Sequence, residues 1–341
     1  MKKVITAILI IVIAAVGAGA YAYHYISGID APYDASDDSS RSVTIEQGAT
    51  TKDIAGILES EGIIGSARKF NIFSRLNEYD GKFQAGTYFL SPSMTLKEIA
   101  DTLSNGDTVT LKFTIPEGYT LAKISEKLSE SGIIDKSKFD ALIAQGDFNY
   151  DFLKTAVQDG RKLEGYLFPD TYALPAGSDE RAIINAMLSR FGEVFNDEYK
   201  SKTELLGMSV NEIITVASII ECEASVESDR PIVASVIYNR LRTGMTLGMD
   251  STIHYILNNA EGELTYDDLA IESPYNTYVN QGLPPGPISC PGESAIKAAL
   301  YPSDTDYLYF VLSDKGDGTM AFSEDYETFL KDKEAYYASI Q

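Results

Sequence analysis

The chain has 341 residues, of which 44% are hydrophobic, and its 28 basic and 50 acidic residues give a formal charge of −22 at pH 7. A negative charge of this size repels nucleic acids and anionic lipid surfaces, so neither is expected as a partner. The two histidines (His24, His254) and two cysteines (Cys222, Cys290) are too far apart in sequence for the ligand spacing of a zinc site. We therefore predict no metal and no cofactor, and a length sufficient for two or more domains.

Residues 1–25 are predicted to form a cytoplasmic tip and a membrane anchor. An uncharged run from Val4 to Ala22 follows two lysines, and at about 1.5 Å per residue it can cross a hydrocarbon core of about 30 Å. Lysines before the run and aspartates after it favour a cytoplasmic N-terminus and an exported body. We expect a single-pass protein of the cell membrane whose catalytic part is extracytoplasmic. A cleaved signal peptide ending near Ala18-Gly19-Ala20 is the alternative, but the run exceeds the usual signal core of about 7 to 15 residues.

Residues 26–41, rich in Asp and Ser, predict a solvated linker, and residues 42–108 predict a small α/β subdomain. The periodicity places strands and helices at Ser42–Gln47, Thr51–Gly62, Phe70–Leu76, Gly86–Leu90 and Ser93–Asn105. This alternation resembles a LysM-type module, a small fold that often binds amino-sugar polymers. The alternative is a spacer that holds the following domain away from the membrane.

A connecting α/β region is expected over residues 109–175. Apolar residues alternate over Thr108–Pro116, which predicts a half-buried strand, and helices are predicted at Leu121–Ser131 and near Lys136–Ala144. The aromatic, proline-containing stretch Glu164–Tyr172 is incompatible with a helix. It predicts a strand and loop at the entrance to a catalytic domain, residues 176–341.

A helix over Val210–Cys222 is the most informative prediction for the catalytic domain. Ser209 and Glu212 have the spacing of a capping box, and a buried stripe is expected at Ile213, Val216, Ala217 and Ile220. The apolar run ends in acids. An acid held against apolar surface resists ionisation and can donate a proton at neutral pH, as cleavage of a glycosidic bond requires.

The two acids, Glu221 and Glu223, are two positions apart and so do not share a helix face. Only one of them can point into a given cleft, and the helical pattern does not say which. Either could instead cap the buried helix end or pair with Arg230, Arg240 or Arg242. A second buried helix is predicted at Arg230–Leu241, capped by Ser228 or Asp229.

Three further expectations concern the rest of this domain. Cys222 and Cys290 could form a disulfide outside the cell or remain buried thiols. Asp304–Leu312 has apolar residues on both faces, which predicts a strand buried within a sheet. Met320–Ser323 is expected to complete a hairpin with it, and Glu324–Ile340 to form a closing helix.

Three long motifs occur in a fixed order along the chain. They are Leu163–Tyr172 (LEGYLFPDTY), Val216–Asp250 (containing VASIIECEA and VIYNRLRTGM) and Ser273–Pro302 (beginning SPYNTYVNQGLPPG). Together they resemble the YceG-like, or MltG, family of endolytic murein transglycosylases. The resemblance implies an α+β protein with an N-terminal transmembrane helix, a LysM-like subdomain and a mixed α+β catalytic domain that carries its acid on a buried helix.

The resemblance also implies which residues act. It matches the family's catalytic glutamate to Glu221, and Glu223 is then expected to be structural and to project to the other side. Positions that match residues around the family's cleft are Glu164, Asn239, Arg240, Asp250, Ser251, Thr252, Tyr255, Ser273, Tyr275 and Asn276. Met320 stands where family members commonly carry histidine, which is a departure from the pattern.

The activity implied is cleavage of the MurNAc–GlcNAc bond of peptidoglycan glycan strands to give 1,6-anhydro-MurNAc ends, which terminates or trims nascent strands. The implied partners are the glycan strands, the cell membrane and peptidoglycan synthesis proteins. Two rivals follow from the residues themselves. One is a muramidase-type hydrolase that uses Glu221 with Asp250 or Glu223, and the other is a non-catalytic wall-binding scaffold.

Overall fold

The computed structural model describes residues 28–106, 108, 110–258 and 262–340, so the predicted anchor at Val4–Ala22 lies outside the described residues. The strands are β1 (Arg41–Ile45), β2 (Gly86–Leu90), β3 (Thr110–Thr114), β4 (Thr171–Pro175), β5 (Tyr309–Leu312) and β6 (Met320–Ser323). The helices are α1 (Thr51–Ser60), α2 (Ala67–Leu76), α3 (Leu96–Asn105), α4 (Leu121–Glu130), α5 (Lys136–Gln145), α6 (Glu180–Val194), α7 (Asp197–Leu205), α8 (Val210–Glu223), α9 (Arg230–Thr243), α10 (Asp250–Leu257), α11 (Tyr266–Leu269), α12 (Glu293–Leu300) and α13 (Tyr326–Ser339). Two short 3₁₀ helices are Asp151–Lys154 and Glu227–Asp229. The protein is α+β, as predicted.

Within the described part of the chain, no single helix has both the length and the apolar composition needed to cross a membrane. Helices α7 and α8 meet these criteria only when taken together, and they are bent by 98° relative to each other.

The chain divides into two compact units. The first contains the residues up to Leu111 together with Ala173–Gly177, and the second contains Lys112–Tyr172 and Ser178–Gln341. The boundary thus falls within β3 and β4, which pair with each other. Most of the predicted connecting region, residues 109–175, belongs to the second unit.

In the first unit, an antiparallel pair of strands is covered by helices. Strands β1 and β2 pair in a register that places Val43 opposite Tyr88, and both side chains are buried. Helix α1 turns Ile54 and Leu58 into the same core, and it begins with the capping box of Thr50 and Asp53. The chain order β1-α1-α2-β2-α3 agrees with the strands and helices predicted for residues 42–108.

Helix α8 lies at the centre of the second unit and packs against α9 and α12. Its predicted capping box is confirmed: the Glu212 amide donates to Ser209 Oγ over 3.2 Å, and Glu212 Oε2 accepts from the Ser209 amide over 2.7 Å. The predicted stripe is buried, but so are the intervening residues Ile214 and Ile219. A helix buried on nearly all sides can only reach solvent at its ends, which is where its two terminal acids lie.

The predicted start of α9 at Arg230 is confirmed, with Asp229 at the N-cap position, but the capping hydrogen bond expected from its side chain is not formed. Asp229 makes no capping hydrogen bond to α9; instead its Oδ2 accepts from the Met320 amide at the start of β6, over 2.8 Å. This buried carboxylate therefore joins the start of α9 to the β5–β6 hairpin. The partner lies far along the chain, so no local pattern identifies it.

The segment before β6 also differs from the prediction. Only Tyr309–Leu312 of the predicted strand Asp304–Leu312 is a strand, its partner in the described structure is β6, and its residues are half-exposed or exposed. The apolar residues on both faces are explained by aromatic packing, since Tyr309 contacts Phe329 of α13 at a ring distance of 5.4 Å. Before β5, Asn239 Nδ2 binds the carbonyls of Thr305 and Tyr307. The side chain thus satisfies backbone groups that a sheet would otherwise pair.

Candidate active site

Glu221 lies in the last turn of α8, and its side chain is only 6% exposed. Its Oε1 pairs with Arg230 Nη2 at 2.9 Å, and its Oε2 accepts the Gly292 amide at 3.0 Å. Gly292 is the N-cap residue of α12, whose free amides and dipole favour a negative charge. Two elements that pack on α8, the starts of α9 and α12, therefore converge on this carboxylate.

Opposing effects set the protonation of Glu221. Burial raises its pKa above the ordinary range, and this is the largest effect. The Gly292 amide and the Arg230 guanidinium favour the charged form and oppose the rise, whereas the negative charge of Glu117 adds to it. The net result is a raised pKa, as a proton donor requires.

Arg230 connects two acids. Its Nη2 lies 4.0 Å from Glu117 Oε2 as well as 2.9 Å from Glu221, and its Nε donates to the Ala224 carbonyl at 3.3 Å. The guanidinium is 11% exposed, while the Glu117 side chain is 51% exposed. The pairing with Arg230 was one of the alternatives left open by the sequence, and it applies to Glu221.

Glu223 lines a cavity of about 450 Å³, whereas it was expected to project away from the cleft. Its Oε1 accepts the Ser251 amide at the start of α10 over 3.3 Å. Burial raises the pKa of Glu223, and the hydrogen bonds from Ser251 partly offset the rise. The divergence of the two acids is confirmed, but the acid at the cavity wall is Glu223. The described lining of this cavity does not include Glu221, although it includes its chain neighbour Cys222.

Glu221 lies close to Gly118, which is a lining residue of the cavity. A Cβ added to Gly118 would lie 3.9 Å from Glu221 Cγ. Other residues that line the cavity are Thr120, Lys123, Asp250, Ser251, His254 and Tyr255. In this part of the wall, Tyr278 donates a hydrogen bond from its hydroxyl to Asp250 Oδ1.

Glu164 lines a second cavity, of about 500 Å³, which shares Thr120, Tyr255 and Asn258 with the first. The carboxyl group is 4% exposed, accepts the Leu121 amide at 3.0 Å and accepts the Tyr255 hydroxyl at 3.2 Å. Burial raises the pKa of Glu164 to about 7. The shared residues place the two cavities side by side, as two lobes of a cleft, and each is lined by an acid whose pKa is raised by burial.

The glycine after Glu164 fixes the position of this acid. Gly165 has a φ of +86°, and a Cβ there would lie 2.5 Å from Pro287 Cβ and 2.9 Å from Ile214 Cγ2. Any side chain at position 165 would have an unfavourable backbone conformation. It would also clash with Pro287, which follows the GLPPG segment, and with Ile214 of α8. The first and third motifs are thus packed directly against each other and against the helix that carries Glu221.

The other predicted site residues fall into two groups. Ser273 and Tyr275 line the second lobe, and the guanidinium of Arg161 lies 4.9 Å from the Tyr275 ring. The remaining four bind backbone or neighbouring side chains: Asn239 and Arg240 donate to carbonyls around β5, Thr252 donates to Met249, and Asn276 donates to Leu269 and Ile271. These contacts hold the loops that shape the cleft, and a binding role for these four stays a prediction.

Both cysteines are free, so the disulfide alternative is not realised. Cys290 is buried, and its amide and carbonyl pair with Tyr119 and Gly118. Cys222 is exposed at the cleft, and its thiol donates to Ser289 Oγ at 3.4 Å. The segment around Cys290 is therefore tied to the loop after β3 by backbone hydrogen bonds.

Sequence reasoning missed Glu117 and Gly292. The segment Pro116-Glu117-Gly118 directly follows a strand and combines a rigid residue, an acid and a flexible residue, which is a signal for a functional turn. A Cβ on residue 292 would lie 1.8 Å from Glu117 Oε1. Glycine at this position therefore leaves room for the Glu117 carboxylate beside the amide that binds Glu221.

Comparison with known proteins gives consistent matches over most of the chain. The model of the YceG-like family matches residues 43–335. The chain is 35% identical over 331 residues to the endolytic murein transglycosylase of Bacillus subtilis strain 168, which covers 93% of this chain and 91% of that protein. It is 31% identical over 350 residues to the endolytic murein transglycosylase of Streptococcus pneumoniae strain D39, and this match covers 93% of this chain and 62% of that protein. The crystal structure of a YceG-like protein of Listeria monocytogenes superposes with a TM-score of 0.58, at 35% identity, over 86% of this chain and 99% of that one.

The raised pKa of Glu164 predicts a specific pH dependence of stability. Between about pH 4.5 and 7 the folded state keeps a proton that the unfolded state has lost, so the free energy of unfolding falls as the pH rises. Glu164→Gln keeps the shape without the charge, and we expect it to lessen the loss between pH 5 and pH 8 by about 2 to 3 kcal/mol. Urea unfolding of residues 28–341 at both pH values measures this.

The exposed Glu204 on α7 provides the control for this experiment. Glu204→Gln removes the same charge from a solvated position and should leave the pH dependence of the parent unchanged. Equal pH dependence of Glu164→Gln and the parent would contradict the assignment of a buried, titrating acid.

Proposed function

The chain belongs to the YceG-like family, and from this premise we propose how an endolytic murein transglycosylase of this sequence cleaves its substrate. The substrate is the glycan strand of peptidoglycan, and the bond cleaved lies between MurNAc and GlcNAc. Glu221 is the catalytic acid. The observation that carries this assignment is its burial at the end of α8, where Arg230 and the Gly292 amide fix its orientation and its pKa is raised.

One carboxyl group serves both proton transfers. Protonated Glu221 donates its proton to the glycosidic oxygen as the C1–O bond breaks. The resulting carboxylate then accepts the proton of the MurNAc C6 hydroxyl, whose oxygen forms the new bond to C1. The product is a 1,6-anhydro-MurNAc end, the acid is regenerated, and water is not consumed. The Gly292 amide and Arg230 stabilise the carboxylate between the two transfers.

Two adjacent lobes, the first lined by residues next to Glu221, provide binding groups. Asp250 and Ser251 are placed at one lobe and Ser273 and Tyr275 at the other, with Tyr255 shared between them. Hydroxyl and carboxylate groups bind sugar hydroxyls, and tyrosine rings can pack against sugar faces in a chain that contains no tryptophan. An open cleft with two adjacent lobes suits binding of several sugar units of a strand.

The first unit is proposed to be a LysM-like module that binds glycan. Support comes from its β1-α1-α2-β2 order with antiparallel pairing of the two strands. A groove of about 320 Å³ lies between the loop after β1 and the loop before β2, and Thr51, Asp80 and Phe83 line it. Polar groups beside an aromatic ring are the chemistry that carbohydrates require.

The N-terminal segment is proposed to be a retained membrane anchor, with the N-terminus cytoplasmic and the enzyme outside. The uncharged run Val4–Ala22 and the lysines before it support this. An anchor holds the enzyme near newly made strands at the outer face of the membrane. Peptidoglycan synthesis proteins are accordingly proposed as partners, and trimming or termination of nascent strands as the outcome.

Substitution of the two acids of α8 tests the mechanism. Glu221→Gln removes the transferable proton and should reduce the rate of glycan cleavage by about 10² to 10⁴-fold, whereas Glu223→Gln should retain far more activity. Mass spectrometry of digested glycan strands measures the rate, with circular dichroism as the check on folding. Loss of activity in Glu223→Gln alone would overturn the assignment of Glu221. Products heavier by one water would identify a hydrolase.

Deletion of residues 42–107 from the inactive Glu221→Gln protein tests glycan binding by the first unit. If this unit binds the wall, the fraction that sediments with purified peptidoglycan should fall about tenfold or more, because a second attachment site is lost. Equal sedimentation of both proteins would instead support a spacer role.

Cell fractionation tests the anchor. Full-length protein should remain in the membrane fraction after a high-salt wash, because burial of a long apolar helix is insensitive to salt. A protein in which a cleavable signal peptide replaces residues 1–25 should move to the soluble exported fraction. Detection of a mature N-terminus near Ala20 in the native protein would contradict retention.

A further inference from the structure

The ion pair between Glu221 and Arg230 opposes the protonated form of Glu221 that the proposed mechanism needs. An arginine at 2.9 Å and the amide at the start of α12 both stabilise the charged form of Glu221. Cleavage begins with the neutral form. Something in the site must therefore weaken the hold of Arg230 on Glu221.

Glu117 is placed to do this. Its Oε2 lies 4.0 Å from the same Arg230 nitrogen that contacts Glu221, and Arg230 is held in place through its Nε by the Ala224 carbonyl. The same guanidinium nitrogen thus faces two carboxylates, of which Glu221 is the nearer. The Glu117 carboxylate also lies over Gly292, where any Cβ would collide with it at 1.8 Å.

We propose that Glu117 is a positioning residue of the reaction: as a second carboxylate partner for Arg230, it draws the guanidinium from Glu221 and so favours the protonated acid. The inference rests on the proposed role of Glu221 and names a residue that acts through Arg230. Because Arg230 carries a single positive charge, the negative charge of Glu117 offsets part of its effect on Glu221 and makes the protonated form of Glu221 easier to reach.

The charge of Glu117 supports this role, because it raises the pKa of Glu221 while Arg230 lowers it. Other charged groups near the end of α8 face different neighbours. From α10, Asp250 and His254 act on Glu223, and from α4, Lys123 acts on Cys222. From α12, the Glu293 carboxylate accepts the Tyr199 hydroxyl at 3.4 Å.

The test is the pH profile of glycan cleavage under conditions where the substrate is far from saturating. Glu117→Gln keeps the shape and removes the charge, so Glu221 should lose its proton at lower pH. We expect the ratio of the rate at about pH 8 to the rate at about pH 5 to fall about threefold or more relative to the parent. Glu117→Asp retains the charge and should restore most of this ratio.

The matched control is Glu126→Gln, which removes an exposed charge on α4 and should keep the parental profile. The substrate is uncrosslinked glycan strands, and release of anhydro ends is followed by mass spectrometry with the full-length protein. Three results would overturn the proposal: superimposable profiles of Glu117→Gln and the parent, an equal loss at every pH, or the same change in Glu126→Gln. A Glu221→Gln protein as active as the parent would instead overturn the proposed function, so the two failures are distinct.

Discussion

The Glu221 carboxyl group is held at the end of a helix whose side chains are otherwise almost entirely buried, and it must be compensated there for the loss of hydration. Compensation comes from Arg230 at the start of α9 and from the Gly292 amide at the start of α12. Those two helices are also the ones that bury the apolar sides of α8. The packing that stabilises the domain and the contacts that orient the acid are therefore produced by the same elements, and neither could change alone.

Three acids in or beside the cleft have different surroundings. Glu164 accepts hydrogen bonds from an amide and a hydroxyl and feels the charge of Arg161, but burial dominates and raises its pKa to about 7. Glu221 is opposed by a full positive charge and an amide, so its raised pKa reflects a balance that neighbouring carboxylates can tip. Glu223 lines the cavity and accepts an amide from the first turn of α10. One fold thus provides acids with distinct protonation behaviour, because burial and neighbouring charges differ from one acid to the next.

Local sequence signals predicted most elements because their causes are local. The capping box at Ser209 and Glu212 located the start of α8, and the β-branched and aromatic residues of Gly86–Leu90 fit β2, whose bounds were predicted as observed. Errors occurred where a distant contact replaced the local one. Asp229 has the residue type and position of a helix cap, yet it binds the amide of Met320. The apolar run before Leu312 packs its rings on α13 rather than within a wider sheet.

The sequence by itself determined that an acid ends a buried helix, that its two glutamates diverge, and that the motifs match a family of peptidoglycan-cleaving enzymes. These conclusions need only helical periodicity and the order of residues. Only the tertiary structure decided what surrounds each acid. It paired Arg230 with Glu221, placed Glu117 at the same guanidinium and turned Glu223 toward the cavity. The protonation of a buried carboxyl group depends on charges and dipoles within a few ångströms, and residues distant in sequence reach that range only after the chain has folded.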